Sequence, residues 1–141
     1  MNHSFIVHGD PVGKGRPRFT RDGRIYTPER TRTYERMVRQ AYVESGGPHF
    51  GDQQLTVTIM AFFQMPQSWG KKQRRRMDGS FCGKKPDADN LIKSTLDALQ
   101  GAAYEDDKQV VVVACSKYWS MKGSLYVDID TVYVPESKQE D

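Results

Sequence analysis

The chain lacks most of what would tie it to a membrane, a disulfide scaffold or a zinc site. No run of about 18 apolar residues occurs, which excludes a membrane-spanning helix by length. The opening Met1-Asn2-His3-Ser4-Phe5 has neither the basic nor the apolar region of a secretory signal, so a soluble, cytoplasmic protein is expected. Its two cysteines, Cys82 and Cys115, show no C-x-x-C or zinc-type spacing and are expected as reduced thiols. Three histidines, His3, His8 and His49, fall at no ligand or triad spacing and receive no catalytic role. No internal repeat or low-complexity segment appears. A phosphate-binding P-loop is excluded too: Gly9 to Gly15 is a residue short, and Gly15 stands where Ser or Thr must hold the metal. No nucleotide cofactor is expected.

What is present begins with size and charge. The 141 residues, 37% of them hydrophobic, make one domain with a modest core. Residues 1–85 carry 16 Lys and Arg against 7 Asp and Glu, a net +9, whereas residues 86–141 carry 5 against 11, a net −6. Such asymmetry points to a basic surface for a polyanion beside an acidic pocket that a cation must neutralise.

Hydrophobic periodicity divides the chain into alternating strands and helices. Residues 3–8 read as a short strand, followed by a Gly-, Pro- and Arg-rich segment to Arg24 in which Asp22-Gly23 signals a hairpin turn. Thr27 is a candidate N-cap with Pro28 at the first helical position, and Tyr34, Met37, Val38, Ala41 and Tyr42 recur at helical spacing until Gly46-Gly47. Strict alternation from Leu55 to Met65 gives a long strand, and the basic stretch Trp69 to Met77 a short exposed helix or loop. An amphipathic helix runs from about Asp89 to Gly101. Gln109 to Trp119 and Ser124 to Val134 read as two strands joined as a hairpin by Met121-Lys122-Gly123. The expected fold is α+β, a mixed β-sheet covered by helices on one face, with a polar, frayed tail at 135–141.

The chemistry concentrates in Lys84-Lys85-Pro86-Asp87-Ala88-Asp89-Asn90-Leu91-Ile92-Lys93 and in Tyr104-Glu105-Asp106-Asp107-Lys108. Asp87 and Asp89 are two apart in the extended lead-in to a helix, so both carboxylates can point to one side. Lys93 lies one turn beyond Asp89, and Asp106 and Asp107 precede a strand whose sheet edge could return them to that helix mouth. Oxygen ligands without His or thiolate suit Mg2+ or Mn2+ rather than zinc. The competing explanation is structural: one Asp caps the helix, and Lys93 pairs with Asp89 or Asp97 on its surface. Capping alone does not require two Asp before the helix and two after it. An EF-hand is excluded because Leu91 and Ile92 stand where that loop needs a ligand and a glycine.

Asp87-Ala88-Asp89-Asn90-Leu91-Ile92-Lys93, then Asp97-Ala98-Leu99, then Asp106-Asp107-Lys108-Gln109-Val110 resembles the signature of the RusA-type Holliday junction resolvases. Lys14-Gly15-Arg16-Pro17-Arg18-Phe19 with Tyr26-Thr27-Pro28 is similar to the phage and prophage branch of that family, so the resemblance spans roughly residues 5–134. It implies a homodimeric, Mg2+-dependent endonuclease, with Mn2+ as a possible substitute, that binds four-way DNA junctions and nicks two strands symmetrically. If phage-encoded, it would act in the host cytoplasm. By match to the motif, Asp87, Asp89 and Asp107 are the metal-binding catalytic carboxylates and Lys93 the catalytic lysine. The spacing after Leu99 leaves Asp106 open as an alternative third ligand.

In that light Lys14, Arg16, Arg18, Arg21, Arg24, Arg74, Arg75 and Arg76 are the expected DNA contacts, with Phe19 as a stacking residue. Trp69, Trp119 and Tyr118 are expected to pack rather than stack on bases. The apolar run Val110 to Ala114, or the helix after Asp89, is the candidate dimer contact. Two other readings stay open: a non-catalytic nucleic-acid-binding module with a structural cation, and a flap or branched-DNA nuclease with the same site.

Overall fold

The longest alternating stretch becomes the strand around which the sheet is built. In the computed structural model, which describes residues 1–135, strand β4 (Leu55–Gln64) buries Leu55, Val57, Ile59, Ala61 and Phe63 and leaves the residues between them more exposed. Branched and aromatic side chains on a period of two fit one face of a pleated strand. Strand β6 (Ser124–Thr131) runs antiparallel to β4 on one side and β5 (Val110–Ser120) parallel to it on the other. Strand β1 (Asn2–His8) pairs outside β6, giving the order β1-β6-β4-β5. The expected polar tail after Pro135 lies outside the described residues.

The expected hairpin between β5 and β6 does not form, because β4 lies between them. Met121-Lys122-Gly123 crosses the end of β4, where Met65 N–H donates to Ser120 O at 2.9 Å. Two strand spacings are about 10 Å, and the four peptide steps from Ser120 to Ser124 reach that far at about 3.3 Å each. The turn residues specify a reversal of direction. They do not specify whether the returning strand lands beside its predecessor or one place further on. Landing further on gives β4, the most regularly apolar strand, a hydrogen-bonded neighbour on each edge.

A parallel β4–β5 pair requires a long crossover, and two helices lie on it. Helix α1 (Glu29–Glu44) buries Thr31, Tyr34, Val38 and Tyr42; helix α3 (Ala88–Leu99), on the crossover, buries Leu91, Ser94, Thr95, Ala98 and Leu99. They pack on each other, α1 against β1 and α3 against β5, so the helical layer lies on one face of the sheet. Met37, expected in the core, is 46% exposed, and the N-cap of α1 is Pro28 rather than Thr27. Helix α2 (Lys71–Met77), the first on the crossover, buries none of its residues. A small hairpin of β2 (Arg18–Phe19) and β3 (Ile25–Tyr26) forms around Asp22-Gly23, with Gly23 at the positive φ its turn demands. Trp119 is buried, edge-on to Trp69, whereas Tyr118 stacks between Phe62 and Phe81 on the opposite sheet face with centroids 5.4 Å apart.

Candidate active site

The acidic motif opens α3. Asp87 occupies the N-cap, yet its side chain accepts no N–H from the first turn, so capping does not explain it. Asp89 sits inside the first helical turn rather than in the extended lead-in, and both carboxylates are exposed near the positive end of the helix dipole. Lys93 follows one turn on, also exposed, and Asp97 one turn after that.

The second acidic pair lies in a 3₁₀ turn, Asp107–Gln109, immediately before β5. Here the two carboxylates have different jobs. Asp106 caps the turn: its Oδ1 accepts from Lys108 N–H at 3.0 Å, and Gln109 Oε1 accepts from Asp106 N–H at 2.9 Å. Gln109 Nε2 donates to Gly51 O and Gln53 O at 2.7 and 2.9 Å, which locks the turn to the loop before β4. The Lys108 N–H holds the Asp106 carboxyl below the usual range. Asp107 is pushed up instead, by partial desolvation and then by the negative charges of Asp106 and Asp97.

Tyr104 ties this turn to α3. Its buried hydroxyl donates to Leu96 O at 2.6 Å, and burial, followed by the fields of Asp107, Asp97 and Asp106, raises it above the ordinary phenol range. The acidic turn therefore approaches α3 on the side of Asp97, about 12 Å along the axis from Asp89 at 1.5 Å per residue. Among the described residues, no three carboxylate, imidazole or thiol groups converge closely enough to hold one metal ion. The donor chemistry nevertheless fits a hard cation, because the candidates are all carboxylate oxygens. Mg2+ is commonly held by one or two carboxylates together with substrate phosphates, so pairs rather than a closed cage suffice.

The segment Gly9 to Gly15, the first part of the Gly-, Pro- and Arg-rich stretch, is a strap fixed at several points. Gly9 N–H donates to Gly123 O, Lys14 N–H to Asn90 O at 2.8 Å, and Gly15 N–H to Thr31 Oγ1 at 3.0 Å. Ser94 Oγ donates to Val12 O at 2.9 Å. A side chain at Gly13 would place its Cβ 2.7 Å from Pro86 Cβ and 3.1 Å from Asn90 Cβ, so glycine permits the close approach to the α3 mouth. The Lys14 ammonium is spent inside the protein, 2.7 Å from Glu35 and 3.0 Å from Asp97. It is a clasp between the two helices, unlike the exposed phosphate donor expected from sequence.

The remaining cations divide similarly. Arg74 donates to Trp69 O and Pro66 O at 2.9 and 3.1 Å and so braces its own loop, while Arg75 and Arg76 are exposed on α2. Arg18, Arg21 and Arg24 are exposed on or beside the β2–β3 hairpin with Phe19, although Arg24 pairs with Asp22 at 3.0 Å. Arg16 lines a cavity of about 540 Å³ together with Arg30, Lys84, Lys85, Asp87 and Asn90. Sequence reasoning missed Arg30 and Asp10, which also line it; Lys84-Lys85, directly before the motif, and Asn90, within it, carried a visible signal.

A family model described as endodeoxyribonuclease RusA matches residues 8–130. The chain belongs to the RusA family. Family membership makes it an endodeoxyribonuclease, a hydrolase of the Holliday junction resolvase class dependent on a divalent metal. Among curated proteins it is similar to "Uncharacterized protein YqaN" of Bacillus subtilis (strain 168), 29% identical over 135 residues, covering 91% of this chain and 95% of that one. Among the described residues no helix is long and apolar enough to cross a membrane.

Proposed function

We propose that this RusA-family chain resolves four-way DNA junctions by paired symmetric nicks, in a Mg2+-dependent reaction carried out by a homodimer. The observation that carries this reading is the state of Asp87: it heads α3 with an exposed carboxylate that caps nothing, beside a cavity rimmed by four cations. Asp87, Asp89 and Asp107 would hold the metal, the first two as a pair at the α3 mouth and Asp107 from the acidic turn. Among the described residues Asp107 does not converge with them and must move toward the mouth to join them. Asp106 is committed to its turn. When bound, Mg2+ supplies an activated water and neutralises charge at the scissile phosphate. Lys93, exposed one turn past Asp89, would stabilise negative charge building on the phosphate oxygens. Arg16, Arg18, Arg21, Arg75 and Arg76 would hold the backbone phosphates on either side.

Two opposed cuts call for two symmetric sites. The outer edge of β5 supports a second copy there. Its carboxyl-terminal half is covered by the chain itself, through Cys82 N–H to Lys117 O, Trp119 N–H to Ser80 O and Gly79 N–H to Trp119 O. The other half bears Val111, Val112 and Val113 at 48, 58 and 36% exposure and no charged residue to discourage edge pairing.

The deciding experiment incubates purified protein with labelled four-way junctions, flaps and plain duplex in Mg2+, Mn2+ or Ca2+. Cleavage of the junction in Mg2+ or Mn2+, with binding alone in Ca2+, is expected. Binding without cleavage in every metal would leave a nucleic-acid-binding module, and preferential cutting of flaps would leave a flap nuclease.

A further inference from the structure

We propose that Phe81 is a stacking platform for a base whose face is left uncovered at a DNA branch point. The proposal rests on the nuclease reading above and names a further residue by which the chain selects its substrate.

Three rings form a ladder across the face of the sheet that carries no helix. Phe62 on β4 stacks on Tyr118 of β5, and Phe81 stacks on Tyr118 from the other side, with both pairs of centroids 5.4 Å apart and interplanar angles of 23 and 26°. The ladder is open at one end. Phe62 and Tyr118 are half-buried, whereas Phe81 is 77% exposed, and among the described residues Tyr118 is the one ring that it stacks on.

The open end is held in place. Phe81 bridges Tyr118 on the outer edge of β5, and the backbone on either side is tied down by Trp119 N–H to Ser80 O at 2.9 Å and Cys82 N–H to Lys117 O at 3.0 Å. Covering the β5 edge needs only this backbone. Nothing in that role calls for a large apolar side chain at the outward position, and a ring left in water forgoes the gain of burial. A flat ring, fixed and facing solvent, suits the face of a base.

The surrounding charge names a polyanion as the occupant. Residues 71–86 carry seven Lys and Arg against one acid, Asp78. Arg75 and Arg76 precede Phe81 and Lys84 and Lys85 follow it, all four exposed and separated from it by at most about 20 Å of extended chain. Lys84 is tethered to β5, because Lys117 Nζ donates to its carbonyl at 2.6 Å. Such cations hold backbone phosphates while the ring takes the base. Inside a duplex each base face is covered by the next pair, and uncovering one costs least where pairing is already interrupted. Stacking is tolerant of sequence, so Phe81 sorts DNA by structure.

The test compares the whole protein with Phe81→Ala and Phe81→Trp in Ca2+, on four-way junctions and on circular duplex, which has neither branch nor end. Phe81→Ala is expected to bind junctions about fivefold or more weakly than the parent, the low end of what one stacked base contributes, and to bind duplex as the parent does. Phe81→Trp should restore junction affinity, and its added indole emission should be quenched by junctions and not by duplex. Should Phe81→Ala fold poorly by circular dichroism, the Phe81→Trp emission decides alone. Unaltered junction affinity in folded Phe81→Ala, or an equal loss on duplex, overturns the proposal and leaves the nuclease reading intact. A parent dimer that becomes monomeric in Phe81→Ala assigns the ring to a subunit contact and overturns it as well. Junction-specific stacking without cleavage in Mg2+ or Mn2+ would overturn the nuclease reading and retain the platform.

Discussion

Lys14 Nζ lies 3.0 Å from Asp97 Oδ2, across 83 residues of sequence, and the same ammonium reaches Glu35 Oε1 at 2.7 Å. One cation thus joins the strap to α1 and to α3, and it does so where the acidic turn also approaches α3. Arg16, two residues on, is exposed and lines the cavity.

Lys14→Ala should therefore act on stability before chemistry. With Lys14 and Glu35 side chains only 23 and 19% exposed, removing the cation leaves a poorly solvated carboxylate. The expected cost is about 1–2 kcal/mol, a fall in Tm on the order of 3–10 °C. Desolvation alone would lower the Lys14 pKa, but hydrogen bonds and charges from Glu35 and Asp97 outweigh it and raise the pKa above 10.5. A raised lysine stabilises the fold below its ordinary value and loses that contribution as pH climbs through the folded one. Thermal melts of both proteins should differ steadily through neutral pH and converge above pH 10.5; a gap that persists there would refute the ionic account.

The two neighbouring aspartates should separate cleanly. Asp106→Ala removes a cap and is expected to cost about 1 kcal/mol, while Asp106→Asn keeps the acceptor and stays near wild type in stability. Asp107→Asn should melt like the parent but cut junctions slower by on the order of a hundredfold or more. If Asp106→Asn proves the slower enzyme at equal folded fraction, the assignment is reversed.

Gly13→Ala probes the strap sterically, because the new methyl would sit 2.7 Å from a proline ring carbon that cannot swing aside. Overpacking of this kind costs about 1–3 kcal/mol, and it should also slow cleavage by lifting the strap off the α3 mouth. Gly83→Ala, with nothing within 4 Å of the added atom, is the control. Equal melting temperatures for the two variants would show that the strap yields freely.

Val112→Lys places a charge on the uncovered half of the β5 edge. Sedimentation should report a dimer for the parent and a monomer for the variant, with unchanged circular dichroism. The variant should lose paired cuts in favour of single nicks. A parent that is monomeric at micromolar concentration removes the interface from consideration.

Salt dependence distinguishes the cations. Each phosphate contact removed should flatten the slope of log affinity against log salt by about 1, so Arg16→Ala and Arg75→Ala are expected to do so. Lys14→Ala, at equal folded fraction, should leave the slope unchanged. A flattened slope for Lys14→Ala would return it to the DNA surface.

Element identity was largely legible because it follows local periodicity: β4 alternates, α1 and α3 repeat at helical spacing, and Asp22-Gly23 turns a hairpin. The errors share one cause. Thr27 and Pro28 differ as caps by a residue, Met37 looks like core on one helix face, and Met121-Lys122-Gly123 looks like a hairpin, yet each outcome depends on what the rest of the fold packs alongside. At the site, Asp87, Asp89 and Lys93 were visible as a helix-mouth pattern, whereas Asp10 and Arg30 carry no local mark at all.

By itself the sequence determined the kinds of element, the all-oxygen character of the acidic motif and the family signature, since burial period and side-chain chemistry are properties of neighbouring residues. Tertiary structure alone decided the strand order, the clasp role of Lys14, the division of labour between Asp106 and Asp107, and the cavity beside Asp87. Those outcomes turn on which distant hydrogen-bond and ion-pair partners win when the chain closes, as with Val12 and Ser94, 82 residues apart. A local pattern shows that a donor or a charge exists, but the partner it meets is set by competition across the whole fold.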